Sequence, residues 1–341
     1  MATQTGQTTT RTRATAQPGR AAPAGTGLSA GGRRPPHCGQ FSKRSPAGEV
    51  LLAYLGAQAA RLTALGLAVR RDKPDAVHQM RVTVRRLRSA LQSFTGIMPE
   101  PDTRKLRDEL KWLGGVLGAA RDAEVQSAQL HAGLAAVPAE LVLGPAQARI
   151  SVHFASLEAD TRAAVLEALD SERYRILRAE LSSLLGSPPL TQEAAEPAGK
   201  VLPRAVGRDY RRTGRRMRRA RVAPAGTARD VALHETRKAA KRARYAAEVA
   251  ESALGKRSGR RAHRFARRMR DVQSALGAHQ DAVIARGIAR DIGVQAHLAG
   301  ENAFSFGLLH ERAHHQALAS EHQGHRAWRR GRRASKGWLA R

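Results

Sequence analysis

Apolar and polar positions follow a helical period through most of the chain. Between residues 77 and 94 the apolar residues recur at spacings of three and four, which places them along one face of an α-helix. Nowhere do four or more residues show the alternation of a β-strand. The pattern therefore predicts an all-α fold. A first helix begins near residue 47 and a second covers 77–94, and further helices are predicted at about 102–117, 120–136, 145–170, 173–185, 200–221, 228–254, 259–276, 279–291 and 301–322.

One helical segment occurs twice. Segments 77–88 and 233–244 each carry an apolar residue followed by a His. In both, an Arg stands three residues after the His, cations stand seven and eight residues after it, and an Arg stands ten residues after it. A second pair of segments, 117–123 and 276–282, shares Leu-Gly-Ala at its start and Asp-Ala at its end. The two offsets are 156 and 159 residues, so we infer an internal duplication that builds two pseudo-symmetric helical bundles.

The Leu-Gly pairs of the second repeat predict helix breaks. Gly118 and Gly277 would each end one helix. Asp122 and Asp281 would then lie near the start of the next helix, where the helix dipole favours a carboxylate. The alternative, that these two carboxylates hold Mg²⁺ in a phosphohydrolase, is less favoured than this helix-terminal role.

Composition divides the chain into a helical body and two basic tails. Residues 1–46 have almost no large apolar side chains and contain no acid, so we expect this tail to be disordered. The body, 47–325, consists of half one (47–185), a linker rich in Pro and Gly (186–200) and half two (201–325). Residues 326–341 form the second basic tail, since no acid follows Glu321.

The helical body is itself basic. The chain has 59 Lys and Arg against 29 Asp and Glu, a formal net charge of +30. Only seven of the cations precede the first acid, Glu49, and only seven follow Glu321. A charge of this size attracts polyanions but does not specify a fold.

Two stripes of positive charge carry the candidate chemistry. The first stripe consists of His78, Arg81, Arg85 and Arg88, and the second of His234, Arg237, Lys241 and Arg244. Each lies one residue on from the apolar face, about 100° round the helix. Cations then recur every 5 Å or so along the helix axis, which suits a chain of phosphates. An Arg-rich helix face is more often simply solvated, but repetition in register with a His favours a binding surface.

Cysteine content and hydropathy predict the location of the protein. Cys38 is the only cysteine, so no intrachain disulfide forms, as is typical of a reducing cytoplasm. No segment is expected to reach the ~18 apolar residues of a membrane helix, and the N-terminus lacks the apolar region of a secretory signal. We expect a cytoplasmic protein without a membrane partner or a cofactor.

On the repeated segments the chain resembles the CHAD family, the conserved histidine α-helical domain. The matching segments are Val77–Leu91, Leu117–Asp122 and Leu233–Tyr245, and the resemblance spans about residues 47–325. It implies two helical bundles around a basic groove or channel that binds inorganic polyphosphate. It also implies a binding module without catalysis that is associated with polyphosphate granules.

The resemblance carries over to particular residues of this chain. One half of the polyphosphate site would be His78, Arg81, Arg85, Arg86 and Arg88. The other half would be His234, Arg237, Lys238, Lys241, Arg242 and Arg244. Basic residues on neighbouring helices are secondary candidates: Arg104, Arg107, Lys111, Arg121, Arg264 and Arg267. A dense arginine run at 208–219 is expected to contact ligand only in part.

Two other kinds of binding stay open. A nucleic-acid-binding protein would also be basic, but 6 Phe, 4 Tyr and 3 Trp are few for a base-stacking platform. Weak, salt-sensitive nucleic-acid binding through the tails is expected. His310 and His314 stand one helical turn apart and could share a metal. No acid or Cys completes a set at fixed spacing, so we expect no metal site.

Overall fold

Helices joined by short turns make up the described part of the chain. The computed structural model describes residues 41–335, without the side chains of residues 255–257 and 333–335. Its helices are α1 (Ala47–Arg70), α2 (Ala76–Ser93), α3 (Glu100–Ala135), α4 (Ala146–Asp170), α5 (Glu172–Gly186), α6 (Ala198–Val222), α7 (Thr227–Ala253), α8 (Gly255–Leu298) and α9 (Phe304–Ser335). Two 3₁₀ turns lie at Ala139–Leu141 and Gln192–Ala195. Within these residues the sole β feature is an isolated bridge between Pro46 and Pro197, so the all-α prediction is confirmed.

The predicted helix breaks at Gly118 and Gly277 are wrong. Helices α3 and α8 run through these positions without interruption. A Cβ placed on Gly118 would lie 3.7 Å from the guanidinium of Arg81, and one on Gly277 would lie 3.2 Å from Nη2 of Arg237. Each glycine therefore makes room for an arginine from a neighbouring helix. A glycine inside a helix costs about 1 kcal/mol relative to Ala, which tertiary packing outweighs here.

One apolar core runs through both halves of the chain. It joins Leu87 of α2 and Leu117 of α3 to Val201 of α6 and Ala243 of α7, all of them buried. Helix α2 packs against α7, and α1 packs against α6. A smaller apolar cluster joins α3, α4, α8 and α9 farther along. The two halves are therefore fused through a common core instead of packing as separate bundles.

The predicted linker is a packed part of this fold. The backbone N–H of Thr191 donates to the carbonyl of Ile97 at 3.1 Å, and Ala194 is buried. Helix α6 already begins at Ala198, whose N–H donates to the carbonyl of Ser45 at 2.9 Å. Residues 41–46 are thus held against the start of α6. The disorder predicted for residues 1–40, Cys38 included, concerns residues outside the described part.

The predicted boundary of the C-terminal tail at residue 325 is wrong. Helix α9 continues to Ser335. Ala327 and Trp328 are buried in the same core as both halves. Ten residues assigned to a tail therefore belong to the folded body, and residues 336–341 lie outside the described part.

Helix α1 is more apolar than the sequence interpretation allowed. Its length and composition are sufficient to cross a membrane, with a mean hydropathy of 1.4 in its most apolar window. The expectation that no segment approaches such a helix was wrong. A core helix passes the same test, and Leu51, Leu55 and Leu62 of α1 are buried in the apolar core, which accounts for its composition.

Candidate functional site

A basic cleft opens between α2, α6 and α7. It encloses about 310 Å³, and seven cations face one acid in its lining. The lining residues are Arg85, Arg88, Ser89 and Gln92 of α2, Arg212 and Arg216 of α6, and Glu235, Lys238, Ala239, Lys241, Arg242 and Tyr245 of α7. We refer to this cavity as the basic cleft.

The first and second stripes converge because each borders the buried face of its helix. Helices α2 and α7 pack against each other, so the residues beside their buried faces meet along one line. Arg81 and Arg85 of α2 lie close enough to Lys241 of α7 to lower the pKa of its ammonium. The structure thus brings together the two segments that the duplication singled out.

Each stripe contains an arginine that packs over a glycine of a neighbouring helix and faces an aspartate of the same helix. Arg81 crosses Gly118, and its Nη2 lies 3.1 Å from Oδ1 of Asp122. In the second half Arg237 crosses Gly277 and is attracted by Asp281. The aspartate follows the glycine by one helical turn and so lies on the same helix face.

This arrangement corrects the role predicted for the two aspartates. Asp122 and Asp281 lie inside the long helices α3 and α8, far from any helix start. Each carboxylate faces the guanidinium of its stripe. Burial raises the pKa of the Asp281 carboxyl, while Arg237 acts in the opposite direction.

Lys241 is the most strongly perturbed cation of the site. Burial lowers the pKa of its ammonium to about 6, and Arg237, Arg85 and Arg81 add to that effect, while Asp281 opposes it. Burial likewise lowers the pKa of His78 and of His234, so both imidazoles are neutral at pH 7. The site concentrates more positive charge than its own carboxylates offset.

Several donors of the two stripes are buried without a hydrogen-bond partner. They include Nε of Arg85, Arg88 and Arg237, and Nδ1 of His78 and His234, which donates or accepts according to the tautomer, is likewise buried without a partner. A buried unsatisfied polar group costs about 1–3 kcal/mol, and native structures contain few of them. Oxygen atoms of a phosphate chain would satisfy the three guanidinium donors.

Two of the predicted ligand contacts instead hold the fold together. Arg86 of α2 and Arg244 of α7 both pair with Glu248, at 3.1 and 3.3 Å. Arg244 is buried and also lies over the ring of Tyr245, 4.3 Å from its centroid. Neither arginine lines the basic cleft. The Arg86–Glu248 pair joins α2 to α7, and the Arg244–Glu248 pair lies within α7.

Arg242 and Lys238 reach the cleft but have acid partners there. Arg242 lies 3.0 Å from the buried Asp209 and donates to the backbone carbonyl of Gln92. Lys238 pairs with Glu235, which also binds Arg216. Among the residues lining the cleft, the cations without an acid partner in the described part are Arg85, Arg88, Lys241 and Arg212.

The secondary candidates divide into two groups. Arg107 lies near Arg88 and Arg242, whose pKa values it helps to lower, and it forms a 3.0 Å ion pair with Glu100. Arg121 pairs with Glu124 at 2.7 Å beside His78. The remaining candidates are exposed and lie outside the lining of the cleft: Arg104, Lys111, Arg264 and Arg267.

Arg212 and Arg216 lining the cleft were not singled out from their arginine run. The run at 208–219 is charged on nearly every side, so composition alone does not separate its members. The separating signal is position, because each of the two directly precedes a buried residue, Thr213 or Met217. The residues of the first and second stripes instead directly follow buried residues, so one rule of position does not find both groups, and it is the packing of α6 against α7 that places Arg212 and Arg216 in the cleft.

Histidines of α9 have hydrogen-bond partners of their own. His314 Nδ1 lies 3.0 Å from Nη1 of Arg286, and His315 pairs with Glu311 at 3.0 Å. Within residues 41–335 no three His, Cys, Asp or Glu side chains are grouped so that they could hold a metal ion.

Comparison with known proteins identifies the family. The model of the CHAD domain matches residues 53–290. Two uncharacterized proteins of Mycobacterium tuberculosis, one from each of two strains, are 36% identical over 247 residues, which is 72% of this chain. The chain spans only 45% of the length of these relatives.

Two solved structures share the fold. A CHAD domain from the plant Ricinus communis is 28% identical with a TM-score of 0.62, over 83% of this chain and 93% of that one. PptA from Streptomyces chartreusis superposes with a TM-score of 0.70 at 22% identity, over 84% of this chain and all of that one. The duplicated His and Arg segments lie inside the matched region, and this chain belongs to the CHAD family.

Proposed function

We propose that this protein binds inorganic polyphosphate in the basic cleft and does not hydrolyse it. One observation carries the proposal: Arg85, Arg88, Lys241 and Arg212 converge from three helices, and no acid in the described residues pairs with them. A linear polyanion supplies a negative charge at each repeat and can follow such a row. The CHAD resemblance implies the same ligand.

Partial burial makes Arg85, Arg88 and Lys241 costly without an anion. Each guanidinium with a buried, unpartnered Nε adds a cost of about 1–3 kcal/mol, and Lys241 is surrounded by like charges. Phosphate oxygens accept hydrogen bonds from guanidinium groups in the planar fork geometry that Arg provides. The free energy of polyphosphate binding is therefore favoured both by new ion pairs and by reduced repulsion among the cations of the cleft.

The absence of catalysis is part of the proposal. Hydrolysis of a phosphoanhydride generally uses carboxylates that hold Mg²⁺. The two carboxylates nearest the stripes, Asp122 and Asp281, face Arg81 and Arg237. A carboxylate engaged by a guanidinium positions that arginine and is a poor ligand for a cation.

Polyphosphate is favoured over nucleic acid by the lining of the cleft. Tyr245 is the one aromatic residue in that lining, and it is 1% exposed. A platform for single strands needs exposed rings on which bases can stack. The tails and the outer arginines can still attract nucleic acid weakly, in a manner that salt suppresses.

The proposed location follows from the ligand. A protein with one cysteine and a polyphosphate site would reside in the cytoplasm at polyphosphate granules. Fluorescent tagging of the chain in its own cells, beside a polyphosphate stain, should show the two signals together. A diffuse signal in cells that contain granules would contradict this part of the proposal.

The first test is a competition experiment with the full chain at near-physiological salt. Long-chain polyphosphate is titrated in, and duplex DNA is added at matched phosphate concentration. We expect binding that DNA does not displace. Arg85→Gln with Lys241→Gln should weaken polyphosphate binding by tenfold or more, on the order of two charge-assisted hydrogen bonds.

The matched control removes two charges from exposed arginines outside the cleft. Arg204→Gln with Arg312→Gln makes the same change on α6 and α9. This control should leave polyphosphate affinity within about twofold, as expected for surface charges. Equal weakening by both double variants, or full displacement by DNA, would show that binding is diffuse and would reject the cleft as the site.

A further inference from the structure

The C-terminal helix α9 carries a third stripe outside the matched family region. The third stripe consists of His322, His325, Arg329 and Arg332. Its spacing of three, four and three residues is that of the first and second stripes. The CHAD model ends at residue 290, so the third stripe lies beyond the matched region.

The third stripe lines a second cavity, between α6 and α9. This α6–α9 cavity encloses about 410 Å³. Its lining residues are Gly214, Met217, Arg218 and Arg221 of α6, Arg229 of α7, and Glu321, His322, His325, Trp328, Arg329 and Arg332 of α9. Five arginines and two histidines therefore face a single acid.

The single acid of this lining, Glu321, already has two basic partners. Glu321 lies 3.7 Å from Nη1 of Arg229 and 3.6 Å from Nε2 of His325. Arg229 also donates two hydrogen bonds to the carbonyl of Ala223, at 3.1 and 2.9 Å. The four remaining arginines have no acid partner among residues 41–335: Arg218, Arg221, Arg329 and Arg332.

The α6–α9 cavity is separate from the basic cleft. The two cavities share no lining residue. Successive residues turn by 100° round a helix, so Arg212 and Arg216 lie on the face of α6 opposite Gly214 and Arg218. Helix α6 therefore presents cations to two different spaces, one on each side.

The walls of the α6–α9 cavity suit a short anion. Met217 and Trp328 are buried, and a Cβ on Gly214 would lie 3.3 Å from the indole of Trp328, so the glycine lets the ring pack closely. These two side chains form an apolar floor. The guanidinium groups beside it suit the oxygen-rich end of a compact ligand, and the cavity has the size of a small-molecule site.

The arginines supply positive charge to this cavity at every accessible pH, and His325 adds little at neutral pH. Burial lowers the pKa of His325, and Arg221 and Arg329 act in the same direction. Arginine keeps its charge throughout the accessible pH range. Binding here should therefore persist at pH 8, where Lys241 in the basic cleft has lost its proton.

We propose that the α6–α9 cavity is a second anion site, which takes an oligophosphate of about three phosphoryl groups. The source is free tripolyphosphate or the triphosphate of a nucleotide, since both present the same terminal oxygens to the arginines. The proposal goes beyond binding of long polyphosphate in the basic cleft and does not depend on it.

Trp328 allows this cavity to be observed directly. With Trp112→Phe and Trp338→Phe in the full chain, Trp328 is the sole tryptophan. Its emission is followed while tripolyphosphate or ATP is added at pH 8, and calorimetry on the same protein with Arg85→Gln and Lys241→Gln added counts the sites outside the basic cleft. We expect a saturable change in emission with one ligand per chain, which Arg218→Gln with Arg329→Gln weakens about tenfold or more.

Two control variants locate the effect. Arg204→Gln with Arg312→Gln should leave the Trp328 signal unchanged, and so should Arg85→Gln with Lys241→Gln in the basic cleft. Circular dichroism checks that each variant keeps its helices. Similar affinities for ATP and tripolyphosphate would support recognition of the phosphates alone, and tighter binding of ATP would support a nucleotide whose base reaches the apolar floor.

Three outcomes would overturn the proposal. One is the lack of a saturable Trp328 change with either ligand. Another is equal weakening by the surface control pair, which would mean diffuse attraction. The third is loss of the signal in the basic-cleft variant, which would place the ligand in that cleft. None of these outcomes decides whether long polyphosphate binds the basic cleft, because the competition experiment tests that separately.

Discussion

Lys241 determines how the basic cleft responds to pH. Its pKa of about 6 in the folded chain lies far below the ordinary value near 10.4. Between these two values the unfolded chain binds more protons than the folded chain. Stability attributable to Lys241 therefore rises as pH increases from about 6 towards 10.4, and the cost of burying its charge is largest below pH 6.

Binding of a polyanion should reverse this proton balance. A phosphate beside Lys241 favours the ammonium, so the complex should take up a proton when it forms at pH 7 to 8. Affinity for polyphosphate should then fall as pH rises through that window. Calorimetry in buffers of different ionisation enthalpy measures the uptake, and Lys241→Arg, which stays charged, should abolish it. Uptake that persists in the Arg variant would assign the proton to another group.

The glycines beneath the stripes give a second prediction at the scale of single residues. Gly277→Ala would place a Cβ 3.2 Å from Arg237 Nη2, whereas Gly118→Ala would leave 3.7 Å to the Arg81 guanidinium. The first contact is tighter than ordinary van der Waals packing. We expect Gly277→Ala to weaken polyphosphate binding more than Gly118→Ala does, as titration would show. Identical affinities would mean that Arg237 relocates at no cost.

At the scale of elements, sequence periodicity predicted most of the helices and failed where partners are distant in sequence. The repeated seam of 77–94 predicted α2, because a buried helix face is a local pattern. Gly118 and Gly277 were interpreted as breaks because local propensity carries no information about Arg81 and Arg237. The same limit explains Arg86, since its pairing with Glu248 depends on how α2 and α7 pack, whereas the Arg244–Glu248 pair is a local contact between residues four apart on α7.

Glu248 of α7 connects that helix to α2 through an ion pair with Arg86. It pairs with both Arg86 and Arg244 in the interior. Glu248→Gln would leave the buried Arg244 and the partly buried Arg86 without their carboxylate, and breaking such a pair costs up to about 3–5 kcal/mol. Denaturant unfolding should show a loss of that order. Glu251→Gln, one turn along α7, serves as a matched control and should change stability far less, because its partner His263 is exposed.

At the scale of the whole molecule, repulsion among the positive charges of the two stripes lowers the stability of the fold. The apolar core runs through both halves and reaches Trp328 of α9, and this common core offsets the repulsion among the partly buried cations beside it. The duplication could be inferred from sequence, yet the fusion of the halves could not. The reason is that the residues joining them, such as Val201 and Ala243, look like ordinary helix positions.

A stability measurement separates the binding role of these cations from a structural one. Below pH 6, where Lys241 carries its proton, Arg85→Gln with Lys241→Met removes two charges that repel their neighbours, so the free protein should become more stable by about 1 kcal/mol or more, a rise in Tm of roughly 2–4 °C. Long-chain polyphosphate should raise the Tm of the natural chain, because a ligand that binds only the folded state stabilises it. The double variant should lose most of that rise. A variant that is less stable than the natural chain would show that Arg85 and Lys241 support the fold. If these cations form a ligand site, they should lower the stability of the free protein and stabilise it once polyphosphate is bound. A helix face that is merely solvated predicts neither change.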